Sequence, residues 1–105
     1  MTTSRIDIFK QMLASDPLNT SVLFGLAKEY EKAGFDQDLI ATLERYLELS
    51  DDEGNAYGML ARAYERSSRV DAAKEAYRRG AEVALTHGHP SLAEEYRSLS
   101  SNYEG

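Results

Sequence analysis

Four cations in this 105-residue chain repeat in position: Lys28 and Lys32, then Arg62 and Arg66. Each pair is spaced i,i+4, so on a helix both members share one face. Like charges at that spacing cost roughly 0.2–0.5 kcal/mol per pair, so their recurrence calls for a reason. A row of cations can hold a carboxylate or an acidic segment, most strongly where surrounding walls focus the field. Other residues offer less chemistry. His87 and His89 are the only histidines and sit in a His-Gly-His-Pro stretch. Two ligands do not make a metal centre, so they are read as loop residues. Glu94-Glu95 and Asp51-Asp52-Glu53 are adjacent carboxylates, read as helix N-terminal charges that favour the dipole rather than as an acid–base pair. No serine stands in a Gly-x-Ser-x-Gly setting, and no glycine-rich phosphate loop is present. There is no cysteine, which excludes disulfides and thiolate chemistry. No catalytic residue, cofactor site or metal site is expected.

Composition sets the outer limits. Apolar residues make up 42% and charged residues 29%, the balance of one folded domain rather than a disordered chain. Net charge is −6, which argues against nucleic acid and against an anionic membrane surface. No stretch approaches the roughly 20 apolar residues of a membrane span. Met1 to Lys10 lacks the apolar core and cleavage site of a secretory signal, so a cytoplasmic location is expected.

The elements that must position these residues are helices. Ser4 is an expected N-cap for a helix to about Ser15, with Ile6, Phe9, Met12 and Leu13 on one stripe; Met1–Thr3 before it is expected to fray. Asp16-Pro17-Leu18-Asn19 ends that helix. A second runs from about Thr20 to Gly34, a left-handed terminator, with Leu23, Leu26, Ala27, Tyr30 and Ala33 in line. Asp36 is expected to cap a third, whose seam is Leu39, Ile40, Leu43, Tyr46 and Leu47. The Ser50–Gly54 stretch is a break. A fourth carries Tyr57, Leu60, Ala61 and Tyr64 and stops near Ser67-Ser68. A fifth runs from about Asp71 to Thr86, with Gly80 placed mid-helix, where a glycine admits a close neighbour. Pro90 fits the first turn of a sixth, with Leu92, Ala93, Tyr96 and Leu99, which fades into the polar end Ser100–Gly105.

One pattern orders all six. Leu26-Ala27-x-x-Tyr30 returns as Leu60-Ala61-x-x-Tyr64 and again as Leu92-Ala93-x-x-Tyr96. The first interval, 26 to 60, is 34 residues and the second, 60 to 92, is 32; such a period marks stacked helical units. The sequence resembles the tetratricopeptide repeat family. Tyr57, Leu60-Ala61, Tyr64 and Ala73-x3-Tyr77 follow its signature in the second unit, and Leu23, Leu26-Ala27 and Tyr30 follow it in the first. Leu39 and Tyr46 depart from it, standing where the family has small residues, so that helix pair is expected to be splayed or compensated by small neighbours. Ser68 replaces the usual turn glycine. The resemblance implies an all-α, right-handed superhelical stack of antiparallel helix hairpins in a single domain, 1–105, with units at about 20–53 and 54–87 and half-units at about 4–19 and 88–105.

The resemblance also implies a concave face, made by the first helix of each pair, that holds a peptide. Helix geometry then selects Ser21, Phe24, Lys28 and Lys32 in one unit, and Asn55, Arg62 and Arg66 in the next, on the side away from the Leu/Tyr seam. Phe24 is the expected apolar contact, and Gly58 is expected to leave room for a ligand backbone. The expected function is non-catalytic protein–protein interaction, a scaffold or adaptor for another protein or an acidic peptide, with no nucleic acid or membrane partner. A plain solvated face, with Glu31 and Glu65 neutralising part of the charge, is the competing expectation. The alternative function is a self-associating homo-oligomer or assembly subunit, using residual apolar surface around Ile6, Ile8, Leu99 and Tyr103.

Overall fold

The computed structural model describes residues 4–103; the expected fraying of Met1–Thr3 and the last two residues of the polar end, Glu104 and Gly105, lie outside them. Six helices follow in order: α1 Arg5–Ser15, α2 Thr20–Ala33, α3 Asp36–Leu49, α4 Asn55–Arg66, α5 Val70–Thr86 and α6 Pro90–Ser101. Among the described residues there is no strand. The chain divides into two compact units, 1–50 with α1 to α3 and 51–105 with α4 to α6.

The helix ends follow local chemistry. Ser4 Oγ accepts from the Asp7 amide at 3.1 Å, and Asn19 Oδ1 accepts from the Val22 amide at 3.1 Å. Each satisfies one of the amides that a first turn leaves without an intrahelical partner. Asp36 is not a cap: Phe35 occupies that position with no side-chain bond, and Asp36 is the first helical residue. Its carboxylate is there favoured by the helix dipole rather than by a cap hydrogen bond. Pro90 opens α6, as a residue without an amide hydrogen can.

Three turns share one geometry. The Phe35, Arg69 and His89 amides donate to the carbonyls of Tyr30, Tyr64 and Ala84 at 3.0, 2.8 and 2.8 Å. In each the preceding residue is left-handed: Gly34 at φ +78°, Ser68 at φ +61° and Gly88 at φ +79°. This is the Schellman termination. Ser68 keeps the turn despite its Cβ, at the strain a non-glycine residue carries in that region.

In the first unit α1 packs on α2 and α2 on α3. Val22, Leu23, Leu26, Ala27 and Tyr30 are buried against Leu39, Ile40 and Leu43, and Leu39 and Leu43 have no exposed surface. The large residues of α3 are thus accommodated: Tyr46 stands half-buried with its ring 5.1 Å from that of Phe24. Helix α1 has no buried residue; Ile8 and Met12 are 44% and 45% exposed.

In the second unit α4 packs on α5 and α5 on α6. Small residues set the spacing. Ala61, Ala73 and Ala93 are fully buried, as is Ala84. A Cβ on Gly80 would lie 2.7 Å from Tyr57 Cβ and 2.9 Å from the Tyr96 ring. The mid-helix glycine therefore admits two tyrosines, one from each neighbouring helix.

Two glycine substitutions separate backbone from packing. Gly80→Ala should destabilise by about 1–3 kcal/mol through overpacking, outweighing a helix-propensity gain of about 1 kcal/mol. Gly34→Ala, which adds a methyl with no neighbour within 4 Å, should cost about 1–2 kcal/mol through backbone strain alone. Urea unfolding checks both; a Gly80→Ala protein more stable than the parent would contradict the close approach.

Candidate protein-interaction site

The residues that could meet a partner lie on α2 in the first unit and on α4 in the second. On α2, Ser21, Lys28 and Lys32 are exposed, while Phe24 and Glu31 are half-buried. Phe24 is not an open apolar contact. Its ring packs beside Tyr46, and the Lys28 ammonium lies 5.3 Å from its centroid, a cation–π arrangement that orients the charge. Lys32 lies 3.6 Å from Glu29, whose same carboxylate oxygen takes the Arg5 guanidinium of α1 at 3.3 Å. So the partial neutralisation comes from Glu29, with its side chain only 16% exposed. The Arg5–Glu29 pair has no sequence signal because Arg5 comes from another helix, whereas the i,i+3 pair with Lys32 lies along α2 itself and was open to sequence reasoning.

On α4, Asn55, Arg62, Glu65 and Arg66 are exposed, and the helix buries Ala56 to Ala61, Ala63 and Tyr64. Gly58 does not leave room for a ligand backbone. It is buried, and the Tyr96 side chain of α6 fills the space that a Cβ would take, its Cζ 3.0 Å from that position. The Tyr96 hydroxyl donates to the Gly54 carbonyl at 2.9 Å. Gly54, itself at φ +124°, is wedged against Ala84 and Leu92. The seam tyrosine of α6 thus occupies the side of α4 assigned to a ligand.

A polar cluster flanks that tyrosine. The Tyr77 hydroxyl of α5 donates to Glu65 at 3.0 Å, and the Tyr77 and Tyr96 rings lie 5.7 Å apart. Burial, then the hydrogen bond to Glu65, pushes the Tyr77 hydroxyl up to about 12, with the nearby Arg62 guanidinium acting in the opposite sense. Burial likewise raises Tyr96, opposed by Arg62 and by the Gly58 backbone. Arg62 thus acts electrostatically on both phenols, and Glu65 is held by the Tyr77 hydroxyl. The face of α4 is bipolar rather than purely basic. The part of Tyr77 and Tyr96 had no local sequence signal, since both read as seam residues.

Elsewhere the chemistry is sparse. Among the described residues no group of three or more histidines and carboxylates could hold a metal ion. A shallow, open depression is lined by Asn55, His89, Pro90 and Leu92. Of the apolar residues considered for self-association, Ile8 is exposed, whereas Ile6, Leu99 and Tyr103 are half-buried. Among the described residues no helix is long and apolar enough to cross a membrane.

The chain matches no family model and no curated protein. Among solved structures it is similar to one titled "Crystal structure of MamA", at 25% identity and a TM-score of 0.63 over 90% of this chain. Its fold is tetratricopeptide-like. The match spans 64% of the MamA chain, so the present chain covers less than two thirds of that length. The six helices and their hairpin packing agree with a tetratricopeptide-like fold.

Tyr77 yields a measurable consequence. Its folded-state pKa lies above its ordinary value, so the stability it contributes is present below about pH 10 and is lost as pH rises toward about 12. Ultraviolet titration should show a late-ionising component, to which Tyr96 and Tyr30 also contribute, and Tyr77→Phe should lower its amplitude by one tyrosine; an amplitude unchanged in Tyr77→Phe would assign the shift to the other two.

Proposed function

We propose that the protein is a non-catalytic adaptor that binds an acidic peptide or tail through the exposed cations of α2 and α4: Lys28 and Lys32 in the first unit, Arg62 and Arg66 in the second. The observation that carries the reading is that the two repeat-related positions, Lys28 and Arg62, are both solvent-exposed, Lys28 with its ammonium over the Phe24 ring, on a chain whose net charge is −6. A cation held over an aromatic ring, as Lys28 is over Phe24, loses less freedom on meeting an anion than one free to swing. Ser21 and Asn55, exposed at the start of the same helices, supply hydrogen bonds to a ligand backbone, and Phe24 contributes the edge of a ring already seated on Tyr46. The repeat organisation that goes with this reading is two full units, 20–53 and 54–87, flanked by half-units 4–19 and 88–105, in a cytoplasmic protein.

The second reading is self-association through α1. It is favoured by Ile8 and Met12, exposed on a helix with no buried residue. Sedimentation over a range of concentrations separates the two: a monomer at the highest concentration removes self-association.

A small charged interface of this kind gives micromolar affinity, on the order of −8 kcal/mol. Arg62→Glu with Arg66→Glu should weaken binding of a glutamate- and aspartate-rich peptide by at least about tenfold, or ~1.4 kcal/mol. Parent-protein binding should fall as salt is raised. Isothermal titration provides the measurement; an acidic peptide bound undiminished by the double variant would refute the assignment.

A further inference from the structure

The two histidines, left as loop residues by their sequence, face two carboxylates in the second unit. His87, the residue after α5, has its Nδ1 2.9 Å from the Val83 carbonyl and its Nε2 3.3 Å from Asp51 Oδ2. His89 Nε2 lies 3.4 Å from Glu53 Oε1. Both partners are 36 residues away, so the α5–α6 turn and the segment 51–53 run past each other with two matched contacts.

The protonation state of His87 follows from its neighbours. A carbonyl oxygen only accepts, so Nδ1 must carry a hydrogen to bond Val83. An ionised carboxylate also only accepts, so Nε2 must carry one to bond Asp51. Both bonds exist together only in the imidazolium. The neutral ring loses one of the two bonds: with hydrogen on Nδ1 the Nε2 lone pair is aimed at Asp51 and that contact turns repulsive, and with hydrogen on Nε2 the Nδ1 lone pair is aimed at the Val83 carbonyl and the ring loses its anchor on α5. The charged groups facing His87 are Asp51 and Glu53, both from the segment before α4. The first turn of α6, Pro90 to Ala93, brings no charged side chain, and from the start of α4 the nearby residue is Asn55, which is neutral. Asp52 is turned to the start of α4, where it accepts from the Gly54 and Ala56 amides at 2.8 and 3.1 Å.

The segment that His87 grips is structurally committed. Asp51 is the first residue of the second unit, and the chain entering it comes from the first. Three residues on, the Gly54 carbonyl is the acceptor for Tyr96. Anything that loosens Asp51–Glu53 therefore acts on the start of α4.

We propose that the α5–α6 turn is a protonation-controlled latch, in which His87 as imidazolium fastens the 51–53 segment through Asp51, and as neutral imidazole releases it. The backbone bond to Val83, then the bond to Asp51, raise the His87 pKa above the ordinary histidine value. A raised folded-state pKa means that the fastening is fully present below about pH 6.5 and is lost as pH rises through the folded-state value. The latch thus closes on mild acidification and opens toward alkaline pH. His89 and Glu53 form the second contact of the same turn.

The full-length chain tests this without a partner. Histidine ring signals followed by NMR from about pH 5 to 9 give the His87 midpoint, and amide exchange, corrected for its intrinsic pH dependence, gives the protection of Gly54 and Ala56. The expected result is a downward shift of the His87 midpoint in Asp51→Asn, and loss of protection in the parent as pH rises through that midpoint. The same pH step should be missing from Asp51→Asn and from His87→Gln. Asp51 is 91% exposed, so its variant keeps the fold even if His87→Gln does not. A His87 midpoint unmoved by Asp51→Asn, or a protection step that survives in Asp51→Asn, would overturn the latch.

Discussion

The second unit depends on where one tyrosine can go. Tyr96 of α6 lies against Gly58 of α4 and Gly80 of α5, and its hydroxyl closes on the Gly54 carbonyl. Those contacts tie three helices and one connecting segment to a single side chain. The ring supplies apolar area, while the hydroxyl gives a second hydrogen bond to a carbonyl that also accepts from the Tyr57 amide. The glycines are the other half of the device, since a methyl at either position would collide with the ring. The alanines around them serve the same end, keeping the helices close enough for a phenol to bridge from one to the next.

This packing decides what is left for the surface. Because Tyr96 fills the notch at Gly58, α4 meets solvent through Asn55, Arg62, Glu65 and Arg66 rather than through a cleft. Tyr77 holds Glu65, and the Arg62 charge acts on both phenols, so interior packing and exposed charge are coupled. The first unit reaches a similar arrangement by other contacts: Phe24 under Lys28, and Glu29 shared by Arg5 and Lys32. The exposed ion pairs on α5, where Arg78 is flanked by Glu75 and Glu82, contribute little to stability by comparison, because solvent screens them.

Much of the fold was legible because it is periodic. Leu26, Leu60 and Leu92, each followed by alanine and then tyrosine, announced stacked helices, and Ser4, Gly34 and Pro90 marked ends by local chemistry alone. Gly80 was read correctly as a point of close approach, since a glycine mid-helix has few other uses. Gly58 was not. A glycine on the expected ligand side looks the same whether the space is for a ligand or for a side chain 38 positions later, from 58 to 96, and sequence spacing carries no such distance. The Arg5–Glu29 and His87–Asp51 contacts were missed for the same reason: each joins residues from different elements. Ser68 was seen as a departure from the family pattern, yet its backbone adopts the left-handed turn that glycine takes at Gly34.

The central claim is that Tyr96 holds α4, α5 and α6 together as one unit. Urea unfolding of Tyr96→Ala beside the parent tests it most directly. Removing the ring should cost about 3–5 kcal/mol, as large aromatic truncations in a packed core do, and amide exchange should show α4 and α5 losing protection together with α6. A cost below about 1 kcal/mol, the size of an ordinary surface change, with α4 and α5 as protected as before, would contradict it.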